Sequence, residues 1–301
     1  MRKSGRSSGL LPGNEATGRA FLKMHGLRNH FVIVDGRNDP YRPTTEEIVS
    51  ICDPHIGVGA DQLVVIEGPQ ADGQKDGAVA FLRFYNVDGP EAEACGNATR
   101  CVGWLLLEEL GTDEVKVQTR NGVLECRRIA DKRVSCTMGR ISMNWQDIPL
   151  SEKRDTCHLQ VGGGPLRDAV ALNIGNPHVV FFVDDTDAID LRKLAPPIQQ
   201  DALFPKQVNV GIAQMLSANR LRLKVFERGA GLTQACGSGA CVAVFAALAR
   251  GLTDERTVTV EMPAGEVEIT ISPDGKATMT GPVEFCFSGF LPPKMGPDTF
   301  S

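Results

Sequence analysis

The sequence has no apolar run long enough to cross a bilayer. Its opening stretch, MRKSGRSSGLLPGNEATGRA, is basic and rich in small residues but has no apolar core of secretory length. Positive charge is not in excess. The 32 Lys and Arg face 37 Asp and Glu, and the net charge of −5 gives no electrostatic reason to bind nucleic acid or an anionic membrane. There is no CxxC pair, and the five histidines do not fall at zinc-finger spacing, so no metal site is expected. There is no phosphate loop and no dinucleotide fingerprint. GVGADQ carries a single GxG and not GxGxxG. The expectation is a cytoplasmic protein that acts on a small molecule, with neither nucleic acid nor membrane as partner.

At 301 residues, the chain can bury two separate cores. The nine cysteines are odd in number and follow no secretory signal, so a disulfide framework is not expected. Most should behave as small buried hydrophobes. Strands dominate the pattern: HFVIVD, QLVVIE, VAFLRFYN, VKVQT, GVLECRRI and RVSCTM in the first half; DAVALNIG, HVVFFVDD, QVNVGIAQM, RLRLKVFER, TVTVEMP, GEVEITI and KATMTG in the second. Arg-Asn-Gly between VKVQT and GVLECRRI signals a hairpin at its Asn-Gly step, and the short links PAGE and SPDG suggest mostly antiparallel or mixed sheets. Helices are few. TTEEIVSIC starts with a plausible cap, and AIDLRKLAPPI should be stopped by its prolines. Two more run from about Asn97 to Leu110 and from about Ser238 to Arg250, each followed by glycine and apolar nearly all round, hence buried.

Those two helices follow a repeated motif, ACGNATRCV against ACGSGACV, with cysteines 141 positions apart (236 − 95). The repeat predicts an α+β fold of two similar lobes. Each is a mostly antiparallel or mixed sheet wrapped round a central buried helix, with the active site in the cleft between them. Residues 1–20 are read as a disordered extension, 21–137 plus a C-terminal strand near 282–292 as the first lobe, and 138–281 as the second.

In both copies the order is small residue, Cys, Gly, a capping residue (Asn97 or Ser238), then helix. A helix N-terminus offers free N–H groups and the positive end of the dipole, so carboxylates bind there. A thiol at the same place is expected to ionise more readily, its pKa falling from about 8.5 toward neutrality. Two such starts facing one cleft would suit inversion of a stereocentre beside a carboxylate. That reaction needs a base on one face and an acid on the other, and a thiolate and a thiol can exchange those roles without a cofactor. Cys101 and Cys241, deeper in the helices, are read as packing residues, and Asp61 as structural.

KMHGLRNHF, GADQLVVIE, FYNVDGPEAEACGNATRC, NIGNPHVVF, QVNVGI and ERGAGLTQACGSGAC together resemble the diaminopimelate epimerase family, over about Phe21 to Phe290 and in the family's order. The resemblance implies a cofactor-independent, homodimeric epimerase that interconverts LL- and meso-diaminopimelate in lysine biosynthesis. Cys95 and Cys236 would be the catalytic base and acid. Gly96, Asn97, Gly237 and Ser238 would hold the reacting carboxylate. Asn29, Gln62, Asn86, Asn176 and Asn209 would line the pocket, and Glu227 and Arg228 would fix the substrate's distal amino-acid end. His178 and Glu227 would tune the cysteine pKa values. An arginine fork suits a distal carboxylate, and buried polar partners reject analogues that lack the matching group. The chain departs from the family in its first motif, where Arg28-Asn29-His30 stands in place of Gly-Asn-Asp. The competing readings are a racemase of another amino acid, against which Glu227, Arg228 and the asparagines speak, and a binding protein without turnover, against which the paired thiols speak.

Overall fold

Strand β2 (Asn29–Asp35) and strand β3 (Gln62–Glu67) are each apolar along four consecutive residues, which is the pattern of a strand buried on both faces. A computed structural model of the chain, described here for residues 18–92 and 95–292, shows how both faces are covered. Most of the expected N-terminal extension (1–17), and Ala94 before Cys95, lie outside the described residues. The described chain is mixed α+β, with β1 (Arg19–Gly26), β2, α1 (Thr45–Cys52), β3, α2 (Ala71–Lys75), β4 (Ala80–Asn86), β5 (Glu91–Ala92), α3 (Gly96–Leu110), β6 (Glu114–Thr119), β7 (Gly122–Ala130) and β8 (Arg133–Arg140) in its first part. Then come β9 (Val170–Asn173), β10 (Pro177–Phe182), α4 (Leu191–Gln199), β11 (Asn209–Ser217), β12 (Arg220–Glu227), β13 (Gly231–Thr233), α5 (Gly237–Ala249), β14 (Thr257–Met262), β15 (Gly265–Ile271), β16 (Lys276–Pro282) and β17 (Glu284–Leu291). The chain divides into two compact units. One holds the described residues up to Cys136 and those from Pro282 on; the other is Thr137–Gly281.

In the first unit the strands lie in the order β17-β1-β2-β3-β4-β6-β7-β8. The β2–β3 and β4–β6 pairs are parallel, and α1 and α3 lie within their connections. Both connections advance the same way across the sheet, but strand direction reverses at the antiparallel β3–β4 pair. Right-handed crossovers then place α1 and α3 on opposite faces. The cores agree. Ile48 and Ile51 of α1 cluster with Val32, Val34 and Leu63, while Ala98, Cys101, Val102 and Leu106 of α3 cluster with Phe31, Ile33, Val64 and Leu82. Helix α1 starts in a full capping box at Thr44 and Glu47, and α3 ends on Gly111 with φ of 65°.

In the second unit the order is β9-β10-β11-β12-β14-β15-β16. Here β10–β11 and β12–β14 are parallel, with α4 and α5 in their connections, and β11–β12 is antiparallel. Leu191, Ala195 and Ile198 of α4 pack with Val179, Phe181, Val210 and Ile212. Helix α5 is buried through Gly239–Val244 and at Ala246 and Ala247. One expectation fails in α4. Pro196 and Pro197 lie inside the helix and do not end it. Each proline removes one backbone donor, but its carbonyl still accepts. Gln200 N–H bonds the Pro196 carbonyl at 3.1 Å, and the buried apolar face holds the last turn against the sheet.

Candidate active site

The polar residues of the first unit meet because of strand direction. Strands β2 and β3 run parallel, so their starts coincide, and β4 runs back, so its end joins them. Asn29 begins β2, Gln62 begins β3, and Asn86 ends β4 directly opposite Gln62. Gln62 Nε2 donates to Asn86 Oδ1 at 3.0 Å. Gln62 Oε1 is buried with no protein partner, an acceptor free for a ligand's donor.

Asn29 is held by Asp61, whose Oδ2 accepts from Asn29 Nδ2 at 3.2 Å and from the His30 backbone N–H at 2.6 Å. A carboxylate only accepts, so the Asn29 amide must present its Nδ2 to Asp61 and its Oδ1 the other way. There Oδ1 receives Cys95 Sγ at 3.8 Å and Asn97 Nδ2 at 3.4 Å. Asn97 in turn accepts from Arg100 Nη2 at 2.8 Å. Arg100 has no exposed surface. This buried guanidinium one turn into α3 was missed because the helix reads as apolar nearly all round; its one basic residue, two turns ahead of Glu108 and Glu109, was the available signal.

The second unit gathers Asn176, His178, Asn209, Glu227, Arg228, Cys236 and Ser238. Parallel pairing sets His178 opposite Asn209. His178 Nε2 lies 3.0 Å from Asn176 Oδ1, 3.1 Å from Ser238 Oγ and 3.3 Å from Asn209 Nδ2. Asn209 is oriented by the Arg228 backbone N–H, which donates to its Oδ1 at 2.8 Å. Burial, with the Arg228 charge adding to it, pushes the His178 pKa down to about 3, so the imidazole is neutral and its part here is hydrogen bonding. Arg228 is exposed, and its Nη1 donates to the Lys206 carbonyl at 2.9 Å. Glu227 accepts from Thr233 Oγ1 at 2.6 Å, and desolvation raises its carboxyl pKa.

The helix starts differ from the expected ones in one respect. The caps are the cysteines themselves, Cys95 for α3 and Cys236 for α5, and Asn97 and Ser238 lie within the first turn. Both cysteines have the extended backbone of an N-cap, with φ of −147° and −129°, and a sulfur can take the side-chain acceptor role that oxygen usually has. Cys236 Sγ accepts the Gly239 N–H at 3.4 Å and lies 3.5 Å from Ser238 Oγ. A side chain at 239 would come within 2.9 Å of Val225 Cγ2 and 3.2 Å of Cys236 Sγ, so glycine is required.

Nor does Cys236 show the lowered pKa expected of a helix-end thiol. Desolvation pushes it well above its ordinary value and the neighbouring Glu227 carboxylate adds to that; the Ser238 and Gly239 hydrogen bonds pull it down, but by less. At 5% exposure, removal from water outweighs the helix end. Cys236 is therefore a thiol here. Cys101 and Cys241 are fully buried, as expected of packing residues. Among the described residues, no group of three or more His, Cys, Asp or Glu could hold a metal ion, and no helix is long and apolar enough to cross a membrane.

A profile of diaminopimelate epimerase matches residues 21–144 and 170–286. The chain is 46% identical over 273 residues to the diaminopimelate epimerase of Rhodospirillum centenum, an alignment covering 91% of this chain and 92% of that one. It is 45% identical over 281 residues to that of Phenylobacterium zucineum, covering 92% and 99%. Two solved structures share the fold at low identity. A probable proline racemase from Agrobacterium radiobacter superposes with a TM-score of 0.63 at 13% identity, over 93% of this chain and 94% of that one. A hydroxyproline epimerase from Agrobacterium vitis gives 0.61 at 14%, over 92% and 91%.

Proposed function

The chain belongs to the diaminopimelate epimerase family, and from that membership we propose that it interconverts LL- and meso-2,6-diaminopimelate by a two-cysteine mechanism, without a cofactor, in lysine biosynthesis. One observation supports this most strongly: two buried helices each begin at a cysteine, and asparagine side chains ring each start.

On this reading the free N–H groups at the starts of α3 and α5, those of Gly96, Asn97, Gly237 and Ser238, hold the α-carboxylate. A thiolate on one face removes the α-proton, and the electron pair spreads into that carboxylate. A thiol on the other face delivers a proton to the same carbon. The first sulfur ends protonated and the second ionised, so the reverse reaction runs with the roles exchanged. Burial favours the thiol form of Cys236, which is the form an acid needs; Cys95 is then the base, and the pair exchange for the other isomer. The mechanism needs two similar lobes, each a sheet round its helix, to bring both sulfurs to one cleft. Exclusion of water there strengthens the helix-end field. Asn29, Gln62, Asn86, Asn176 and Asn209 complete the pocket. Arg228 takes the distal carboxylate, and Glu227 the distal ammonium. Glu227 and His178 tune the thiols, Glu227 by its charge and His178 through Ser238.

We further propose a homodimer in the cytoplasm. Strand β17 leaves Phe285, Phe287 and Phe290 exposed, apolar area that a second copy would cover, and a reducing compartment keeps the two thiols free. The test is α-proton exchange in heavy water, followed by NMR under reducing conditions. Exchange with diaminopimelate, lost in both Cys95→Ala and Cys236→Ala, is expected. Exchange with proline or histidine alone would reassign the substrate, and no exchange with any amino acid would leave a binding protein.

A further inference from the structure

Cys126 on β7 and Cys136 on β8 take no part in the proposed chemistry, yet they form a tight pair. They stand directly opposite each other in the antiparallel ladder. Both are free thiols with no exposed surface, and their sulfurs are 2.8 Å apart. Directly opposed residues in such a ladder have Cα atoms about 4.5–5.5 Å apart, inside the roughly 4.4–6.8 Å that a disulfide spans. The sulfurs need approach by only about 0.8 Å to reach bonding distance. Helix α3 closes over the pair. A side chain at Gly103 would come within 2.8 Å of Cys126 Sγ and 3.9 Å of Cys136 Sγ, and the Thr99 carbonyl lies 4.0 Å from Cys126 Sγ.

We propose that Cys126 and Cys136 are an oxidative modification site, forming a cross-strand disulfide when a small peroxide reaches them. A small peroxide is the oxidant invoked because neither sulfur has exposed surface and α3 covers the pair. The first thiol is oxidised by hydrogen peroxide to a sulfenic acid, breaking the O–O bond and releasing water. The second sulfur then attacks the sulfenic sulfur, forming the S–S bond and releasing a second water. Two thiols lose two hydrogens and two electrons, and one peroxide becomes two waters. Access comes through the β7–β8 hairpin, whose pairing is already irregular between Arg128 and Ala130, with Ile129 exposed. The contact with Cys136, and burial after it, hold the Cys126 thiol protonated, so the pair stays reduced until an oxidant arrives.

The sequence makes the test unambiguous. Arg127, Arg128, Lys132 and Arg133 lie between the two cysteines, so trypsin separates them into peptides 121–127 and 134–140. The intact chain is treated with hydrogen peroxide, remaining thiols are alkylated in denaturant, and the unreduced digest is weighed. The expected result is the two peptides joined, two hydrogens lighter than their sum and released by dithiothreitol, with neither Cys126 nor Cys136 recovered alkylated in the joined fraction. Cys136→Ser should abolish the joined species. Recovery of both peptides separately alkylated, at a dose that oxidises the exposed Cys286, would overturn the proposal. So would either peptide joined to a different cysteine.

Discussion

His178 offers a test in which burial alone sets both sign and size. Its imidazole is 1% exposed and titrates near 3, against an ordinary value of 6.5. Between those values the unfolded chain binds a proton that the folded chain does not, so stability rises with pH across the window and is lost as pH falls. Above 6.5 the contribution is fully present. At pH 5 about 2 kcal/mol of it is gone, and the full loss of about 5 kcal/mol is reached only near pH 3. Replacing the ring removes this term. In urea unfolding followed by circular dichroism at pH 7 and pH 5, wild type should lose about 2 kcal/mol more than His178→Gln. Equal losses in the two proteins would refute the reasoning, as would a ring resonance of His178 titrating near 6.5 by NMR. The same shift has a functional consequence. At neutral pH this residue brings no positive charge to Ser238 and Cys236, and it acts by orienting hydroxyl and amide groups.

Other consequences follow from local geometry. Leu27 and Arg28 both have left-handed backbone, with φ of 54° and 57°. Arg28→Gly relieves a cost of about 1–2 kcal/mol against about 0.5–1 kcal/mol of added chain entropy, so the melting temperature should rise by a degree or two; a fall would contradict this. Gly239→Ala forces a methyl against Val225 and Cys236; it should cost about 1–3 kcal/mol and slow epimerisation by displacing the sulfur, measured by denaturation and by α-proton exchange. Thr44→Ala removes the hydroxyl that accepts the Glu47 N–H at 3.2 Å and should cost about 1 kcal/mol, with exchange activity unchanged in the same assays.

The elements legible in the sequence were those whose signal is carried by the residues themselves. Phe31–Val34 and Leu63–Ile66 read as strands because burial on both faces requires unbroken apolar runs. The Thr and Glu at the start of TTEEIVSIC announced the capped start of α1, and Gly111 and Gly251 marked the ends of α3 and α5. What stayed hidden is decided by contacts distant in sequence. Strand β1 was missed, and so was its hairpin to β2, because Leu27-Arg28 is no turn signal. The turn is imposed by the Gly26–Asn29 pairing and by burial of Met24 and Phe31 on either side. The Asn-Gly hairpin exists, but its two loop residues are Arg120 and Asn121, and Gly122 opens β7 at φ of 111°. Arg100 cannot be read as buried from its sequence neighbours; its burial follows from the packing of α3 against the sheet, where Asn97 accepts from its Nη2.

The repeated motif carries one further lesson, in chemistry and not in fold. ACGNATRC and ACGSGAC encode the same helix start, but each sulfur finds a different environment. Cys95 is half-buried and faces the Asn29 amide oxygen, whereas Cys236 is buried, accepts an N–H from its own helix and sits beside Glu227. A motif can specify that a thiol stands at a helix N-terminus. It cannot specify how much water remains there, and at Cys236 the loss of water outweighs the helix end. On the proposed mechanism two thiols that exchange acid and base roles begin from unequal positions, and residues beyond the shared Ala-Cys-Gly set that inequality, Glu227 and Ser238 at one sulfur, Asn29 at the other. Removing the charge at Glu227 should act on Cys236 first, lowering its pKa, and alkylation of Cys236 should then set in at lower pH in Glu227→Gln than in wild type. An unchanged alkylation profile would mean that desolvation alone holds the thiol protonated.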